Sequence, residues 1–90
     1  MSVLTFGVIR IRHIDFQGYC NDNYYHSVVT ESNNNIGILE SGIVGATHFQ
    51  WNPIESEKRK IDALMELIRK CYPKKNYSIE FVKKEIIVED

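Results

Sequence analysis

Cysteine is scarce in this sequence of 90 residues, which contains only Cys20 and Cys71, far apart along the chain. Small secreted domains held together by disulfides have more cysteines, and structural zinc sites have theirs in close pairs. The two residues therefore argue against both classes of protein. We expect reduced thiols, and hence a cytoplasmic protein.

Long hydrophobic runs are also missing. No stretch approaches the roughly 18 apolar residues that a membrane-spanning helix requires. The opening segment, residues 1–6, has neither the cationic residues nor the small-residue cleavage site of a secretory signal. We therefore expect no membrane partner, in agreement with a cytoplasmic location.

The sequence also lacks an excess of charge of one sign, since its formal net charge is -1. Proteins that bind nucleic acid by neutralising phosphates are usually basic, so the composition argues against a nucleic-acid partner. Hydrophobic residues make up 43% of the chain and charged residues 26%, proportions typical of a folded protein. Since no repeat or linker interrupts the sequence, residues 1–90 are predicted to form a single domain.

The first half of the sequence is rich in strand signals. Residues 3–14 alternate between apolar and polar types, and a change of phase at Gly7 predicts a β-bulge there. Residues 24–31 and 36–40 are predicted strands because they are rich in aromatic and β-branched side chains. The asparagines at 33–35 tolerate positive φ angles, so they predict a tight turn that joins these strands into a hairpin.

The clearest helix signal begins at Asn52. Asn52 is a favoured N-cap, Pro53 suits the first helical position, and Glu55 complements the helix dipole. Pro73 is expected to stop the helix after about five turns. One broad apolar stripe is predicted to face the sheet, and it contains Ile54, Ile61, Leu64, Met65, Leu67, Ile68, Cys71 and Tyr72.

Two further strands complete the predicted fold. Residues 43–51 lead into the helix as a fourth strand, and residues 77–88 form the last strand, with a change of phase at Lys83 and Lys84 that suggests a second bulge. The predicted class is α+β. We expect a four- to five-stranded, mainly antiparallel sheet packed by one long helix, in the order ββββ-α-β.

The histidines are the first candidates for catalysis, because histidine exchanges protons near neutral pH. His48 lies near the predicted start of the helix, and Glu57 projects from the first helical turn. Together with His26 they would form an acid–base group suited to metal-independent cleavage of a phosphodiester. The alternative is that Glu57 pairs with Lys60 and the histidines are ordinary strand residues.

His13, Cys20 and His26 are the candidate ligands for a metal ion. The spacing between these residues does not match the close pairs that zinc sites use, so we predict neither a metal nor a cofactor.

A ligand site is predicted at His48, Gln50, Trp51 and Asn52. The free N–H groups of a helix N-terminus favour an anion, and the indole of Trp51 offers a surface on which a nucleotide base can stack. The alternative is a capped helix with Trp51 in the core or at an interface.

A basic ridge is predicted from Arg10 and Arg12, which share one face of their strand. Lys83 and Lys84 extend it if the first and last strands are neighbours. Such a ridge would engage phosphates or an acidic protein surface. The alternative is that these residues pair across strands with Glu40, Glu80 or Glu85.

One helix shields only two or three strands, since a helix is about 10 Å wide and strands lie about 4.8 Å apart. Part of the sheet is therefore expected to be covered by a homodimer or a higher oligomer. The leading hypothesis is a small non-enzymatic binding protein with a protein partner, comparable to inhibitors, immunity proteins and phage-type antagonists of host defence. The alternatives are a nucleotide-binding, sponge-like protein and a small metal-independent nuclease.

Overall fold

A computed structural model describes residues 2–72 and 76–89 of the chain. The described residues form one antiparallel sheet of four strands and one helix. The elements are β1 (Ser2–Ile14), β2 (Cys20–Thr30), β3 (Ile36–Ser41), α1 (Glu55–Cys71) and β4 (Tyr77–Val88). Spatially the strands follow the order β3-β2-β1-β4. The α+β class is therefore confirmed, but the element order is βββ-α-β and the predicted fourth strand before the helix is wrong.

The ladder between β1 and β4 is the longest in the sheet. It runs without a shift of register from Ser2 opposite Val88 to His13 opposite Tyr77. The bulges predicted at Gly7 and at the two lysines of β4 are therefore wrong. The apolar side chains change face because β1 is covered on both sides, so that its pattern needs no irregularity.

The helix covers one face of the sheet. Ile9 and Ile11 of β1 are buried beneath it, together with Ile61 and Ile68 of α1. These two helix residues lie seven positions apart and form the centre of the apolar stripe. Leu64, which belongs to the stripe predicted to face the sheet, is only half-buried because it lies to one side of the line through Ile61 and Ile68.

The second face carries a smaller core made by the segment between β3 and α1. Ala46 packs there against Phe6 and Val8 of β1, and Ile43 lies beside them. The segment was predicted as a strand, but Phe49 alone pairs with a strand, as an isolated bridge to Gly7. The rest of the segment turns over the sheet, since Thr47 hydrogen-bonds to Tyr25 and His26 in the middle of β2 instead of extending a ladder.

The helix begins later than predicted. Its first residue is Glu55, and Ile54 occupies the N-cap position without a capping side chain. Asn52 is not the cap: it has a φ angle of 55°, in the left-handed region that asparagine tolerates. Because the chain turns at Asn52, Ile54 is 65% exposed and does not belong to the apolar stripe. Pro73, the predicted stop, lies outside the described residues.

The hairpin of β2 and β3 is confirmed. Asn34 adopts a φ angle of 65° in the connecting turn, as expected for asparagine in this region. The register of the β2–β3 ladder shifts between Tyr25 and Ser27, near the middle of β2. In the part of the chain that the structure describes, no helix combines the length and the apolar character needed to cross a membrane.

Candidate functional site

The predicted basic ridge lies on the face of the sheet away from the helix, and acidic residues neutralise it. Arg10 donates to Glu80 at 2.6 Å, the cross-strand pairing that was the alternative for this residue. Arg12 donates to both carboxylate oxygens of Asp22, at 2.7 and 3.0 Å. Through this hydrogen bond the pair raises the pKa of Arg12 and lowers the pKa of Asp22.

The two lysines of the ridge separate onto opposite faces of β4. Lys84 shares the arginine face and lies 5.7 Å from the centre of the Tyr24 ring. Lys83 is on the helix side of the sheet and pairs with Glu85 at 3.4 Å. The structure therefore brings Arg10, Arg12 and Lys84 to one face, and excludes Lys83 from it.

His48 and Glu57, the acid–base candidates, have separate partners. The ring of His48 stacks on Phe6 with centroids 4.0 Å apart, and its Nε2 donates to the carbonyl of Ile43 at 3.0 Å. Glu57 accepts from Lys60 at 3.2 Å, which was the alternative for this residue. Their contacts therefore give no acid–base pair between these two residues.

The remaining candidates for catalysis or metal binding also lie apart. His26 is exposed, with its Nδ1 2.8 Å from Ser27 Oγ. Cys20 is exposed in β2, and its Sγ donates to the carbonyl of Gly18 at 3.8 Å. Among residues 2–72 and 76–89, no three histidine, cysteine or acidic side chains lie close enough together to hold a metal ion.

A cavity of about 370 Å³ lies at the beginning of the helix, beside Trp51. It is lined by Trp51, Asn52, Pro53, Lys58, Ile61, Asp62 and Phe81. The Trp51 indole stacks on Phe81 with centroids 5.6 Å apart and an angle of 22° between the rings. The predicted ligand residues Trp51 and Asn52 line the cavity, whereas His48 and Gln50 do not.

Two charged side chains accompany the aromatic wall of this cavity. Lys58 and Asp62 are four residues apart, so they follow each other on one face of α1. Neither takes part in an ion pair among the residues that the structure describes. Both residues were missed from the sequence because the helix start was predicted too early and the ligand site was sought before the helix, at residues 48–52.

A polar cluster connects the end of the helix to the sheet, and the sequence did not reveal it. Glu40 accepts from Tyr72 OH at 2.6 Å and from His13 Nε2 at 2.5 Å. Tyr77 packs edge-on against His13. Burial opposes the charged form of Glu40, but these hydrogen bonds outweigh it and hold its pKa below the usual value. Burial, reinforced by Glu40, raises the pKa of Tyr72.

The outer part of the β1–β4 ladder forms a projecting surface, which we call the ribbon end (Ser2–Thr5 and Glu85–Val88). None of its residues belongs to the core beneath the helix. Val3 and Ile87 are 58% and 65% exposed on one face, and Leu4 and Val88 are 50% and 41% exposed on the other. The ribbon end therefore exposes apolar side chains on both faces, although Glu85 is charged and Ile86 is partly covered by the second core.

One edge of the ribbon end is open. Gly7 exchanges both of its backbone hydrogen bonds with Phe49, on the side of β1 away from β4. Alternate residues of a strand point their backbone polar groups to the same side, so the N–H and C=O groups of Val3 and Thr5 also point away from β4. Within the described part of the chain, no residue pairs with them there. No charged side chain occurs between Ser2 and Ile9.

No protein-family model matches this chain, and no similar curated protein or solved structure was found.

Proposed function

We propose that this protein is a non-enzymatic binding protein that accepts a strand of a protein partner along the open edge of β1. The observation that carries this proposal is the unpaired backbone of Val3 and Thr5. An extended segment that adds to such an edge gains main-chain hydrogen bonds, and side-chain contacts on the two faces give specificity.

The edge of β1 differs from the other sheet edges in its side chains. Soluble proteins discourage pairing along exposed edges by placing charged residues, prolines or short strands there. β4 carries Glu80, Lys83, Lys84 and Glu85, and β3 has only six residues. The open part of β1 is also short, but it carries no charged residue or proline, and apolar side chains flank it on both faces.

The class of protein that fits is a small binder such as an inhibitor, an immunity protein or a phage-type antagonist of a host defence factor. Such proteins act by covering a surface of their partner and need no catalytic group. The free cysteines among the described residues support action in the reducing cytoplasm.

Thr5→Pro tests the proposal. Proline removes the outward N–H of Thr5 but no hydrogen bond to β4, since the β4 side is served by the alternate residues. Thr5→Ala is the matched control because it keeps the N–H. In native mass spectrometry of protein isolated from its own cells, we expect a stoichiometric protein partner with the wild type and Thr5→Ala. Its identity is then verified with purified components.

The proposal fails if Thr5→Pro retains the partner as well as the control does. Circular dichroism and the melting temperature of both variants establish that the fold is intact. A binder that used the charged face would lose its partner with Arg12→Ala and retain it with Thr5→Pro.

The cavity beside Trp51 favours a second candidate, a nucleotide-binding protein. Trp51 and Phe81 supply aromatic surface for a base, Lys58 supplies a cation for phosphate, and Asp62 supplies an acceptor for amino groups. Its volume falls in the range of small-molecule sites, which is about 300 to 1,000 Å³.

Titration of Trp51 fluorescence with nucleotides, including cyclic dinucleotides, tests this candidate. Lys58→Ala should weaken binding, whereas Lys70→Ala, at the other end of the helix, should not. A flat response across the panel would remove the candidate. The nuclease alternative has no comparable support, because His48 and Glu57 have separate partners.

A further inference from the structure

We infer that the open edge of β1 pairs with the same edge of a second copy of this chain, antiparallel, with Leu4 on the two-fold axis. This inference rests on the proposed function, since it takes the same edge as a strand-binding site and names the strand that covers the edge when no protein partner is bound. It deepens that proposal by specifying the register of the contact.

The backbone of β1 selects this register. In an antiparallel pair, residues that exchange hydrogen bonds must both point their N–H and C=O groups toward the partner strand. With Leu4 on the axis, Val3 lies opposite the partner's Thr5, and Thr5 lies opposite the partner's Val3. These are the residues whose backbone groups point outward, so each pair can exchange two hydrogen bonds.

In neighbouring registers, fewer of the outward backbone N–H and C=O groups find a hydrogen-bond partner. A slip of one residue places Val3 opposite a residue whose backbone groups point toward its own β4. With Thr5 on the axis, Val3 meets the partner's Gly7, whose groups are already bonded to Phe49. With Val3 on the axis, one hydrogen-bonded pair remains among the described residues. The Leu4 register is therefore the most complete.

The side chains agree with this register. Leu4 meets the partner's Leu4 on the face that also carries Ile86, while Val3 and Ile87 lie on the other face. Pairing thus creates a four-stranded β4-β1-β1-β4 sheet with apolar residues that continue across the axis. Both faces of the ribbon end lose exposed apolar surface at the same time.

Charge favours a second copy as the occupant. The edge has no charged residue between Ser2 and Ile9, so its copy places no like charges opposite each other. Self-pairing of β4 would instead bring Lys83, Lys84 and Glu85 near their own counterparts. The net charge of -1 causes little repulsion between copies.

The contact is small, because only a short stretch of β1 is open. Stable interfaces usually bury about 1,600 Å² in total, and a single short strand pair with its flanking side chains covers less. We therefore expect a reversible dimer whose population rises with protein concentration. Such a contact closes the edge when no other strand occupies it.

Leu4 gives a specific test because it meets itself at the axis. Light scattering coupled to size exclusion should give a wild-type mass that rises from 10.5 kDa toward twice that value with concentration. Leu4→Lys and Leu4→Glu should each weaken the dimer about tenfold or more, because like charges then face each other. An equimolar mixture of the two variants should dimerise again. Leu4 is half exposed and outside both cores, so the variants retain the fold.

Two results would overturn the inference. One is a wild-type mass that stays at 10.5 kDa across the concentration range. The other is a wild-type dimer whose Leu4→Lys and Leu4→Glu variants fail to associate when mixed, since Leu4 would then not face Leu4. A monomeric wild type that still loses its protein partner in Thr5→Pro would overturn the dimer and leave the proposed function standing. A dimer in the expected register, together with a protein partner that still binds the Thr5→Pro variant, would overturn the proposed function and leave the dimer standing.

Discussion

Gly7→Ala should destabilise the fold, because a methyl group at this position overlaps the ring of Phe81. The ring cannot move aside easily, since Trp51 stacks on it and Phe49 packs edge-on against it. Overpacking a well-packed site costs about 1 to 3 kcal/mol. The lower entropy of the unfolded alanine chain returns about 0.4 to 1 kcal/mol. The expected net loss is about 1 to 2 kcal/mol.

Urea denaturation of the wild type and Gly7→Ala measures this loss, and a fall in melting temperature of roughly 4 to 8 °C per kcal/mol should accompany it. Gly42→Ala is the control, because a methyl group there meets no atom and the backbone is not in the left-handed region. In a Phe81→Ala background the Gly7→Ala change should cost little, since the overlap is gone. Equal stability of Gly7→Ala and wild type would refute the reasoning.

The remaining predictions concern the helix and the polar cluster. Ile68→Ala should cost about 2 to 5 kcal/mol in urea denaturation, and Leu64→Ala less, because Ile68 is fully buried and Leu64 half-buried; equal costs would contradict this packing. Asn52→Ser should cost about 1 kcal/mol, since serine tolerates the positive φ angle poorly, whereas a true N-cap would accept serine without loss. The lowered pKa of Glu40 contributes stability that is present above pH 4.5 and is lost as the pH falls through its folded value. As the pH is lowered, the free energy of unfolding should therefore fall less in Glu40→Gln than in the wild type. An unchanged pH dependence would assign the acid sensitivity to other carboxylates.

The sequence predicted the elements whose signals are local. The alternation in β1, the asparagines of the hairpin turn and the stripe around Ile61 and Ile68 each depend on neighbouring residues, and each element was found. The predicted start of the helix was wrong because the sequence Asn52-Pro53 is compatible with two local structures. It can cap a helix, or it can turn the chain before one, and the packing of Trp51 on Phe81 accompanies the second.

The candidate sites depended on contacts between distant parts of the chain, which the pattern of residues does not contain. Glu40 meets His13 and Tyr72 only because β3 lies beside β2 with a register shift and the helix returns over them. The open edge arises because the segment around Phe49 takes the place that a longer β2 pairing would occupy beside Gly7. Neither arrangement follows from local propensity.

The long ladder between β1 and β4 also determines how the chain can fold. It joins the first strand to the last, so the chain must lose the entropy of closing a long loop before the hydrogen bonds of the ladder can form. The hairpin of β2 and β3 and the helix can form earlier from local contacts, but Ile9 and Ile11 stay partly uncovered until β4 arrives. During that interval both edges of β1 beyond its pairing with β2 are free. The same strand that is proposed to bind partners in the folded protein is thus the one most exposed to premature pairing in the nascent chain.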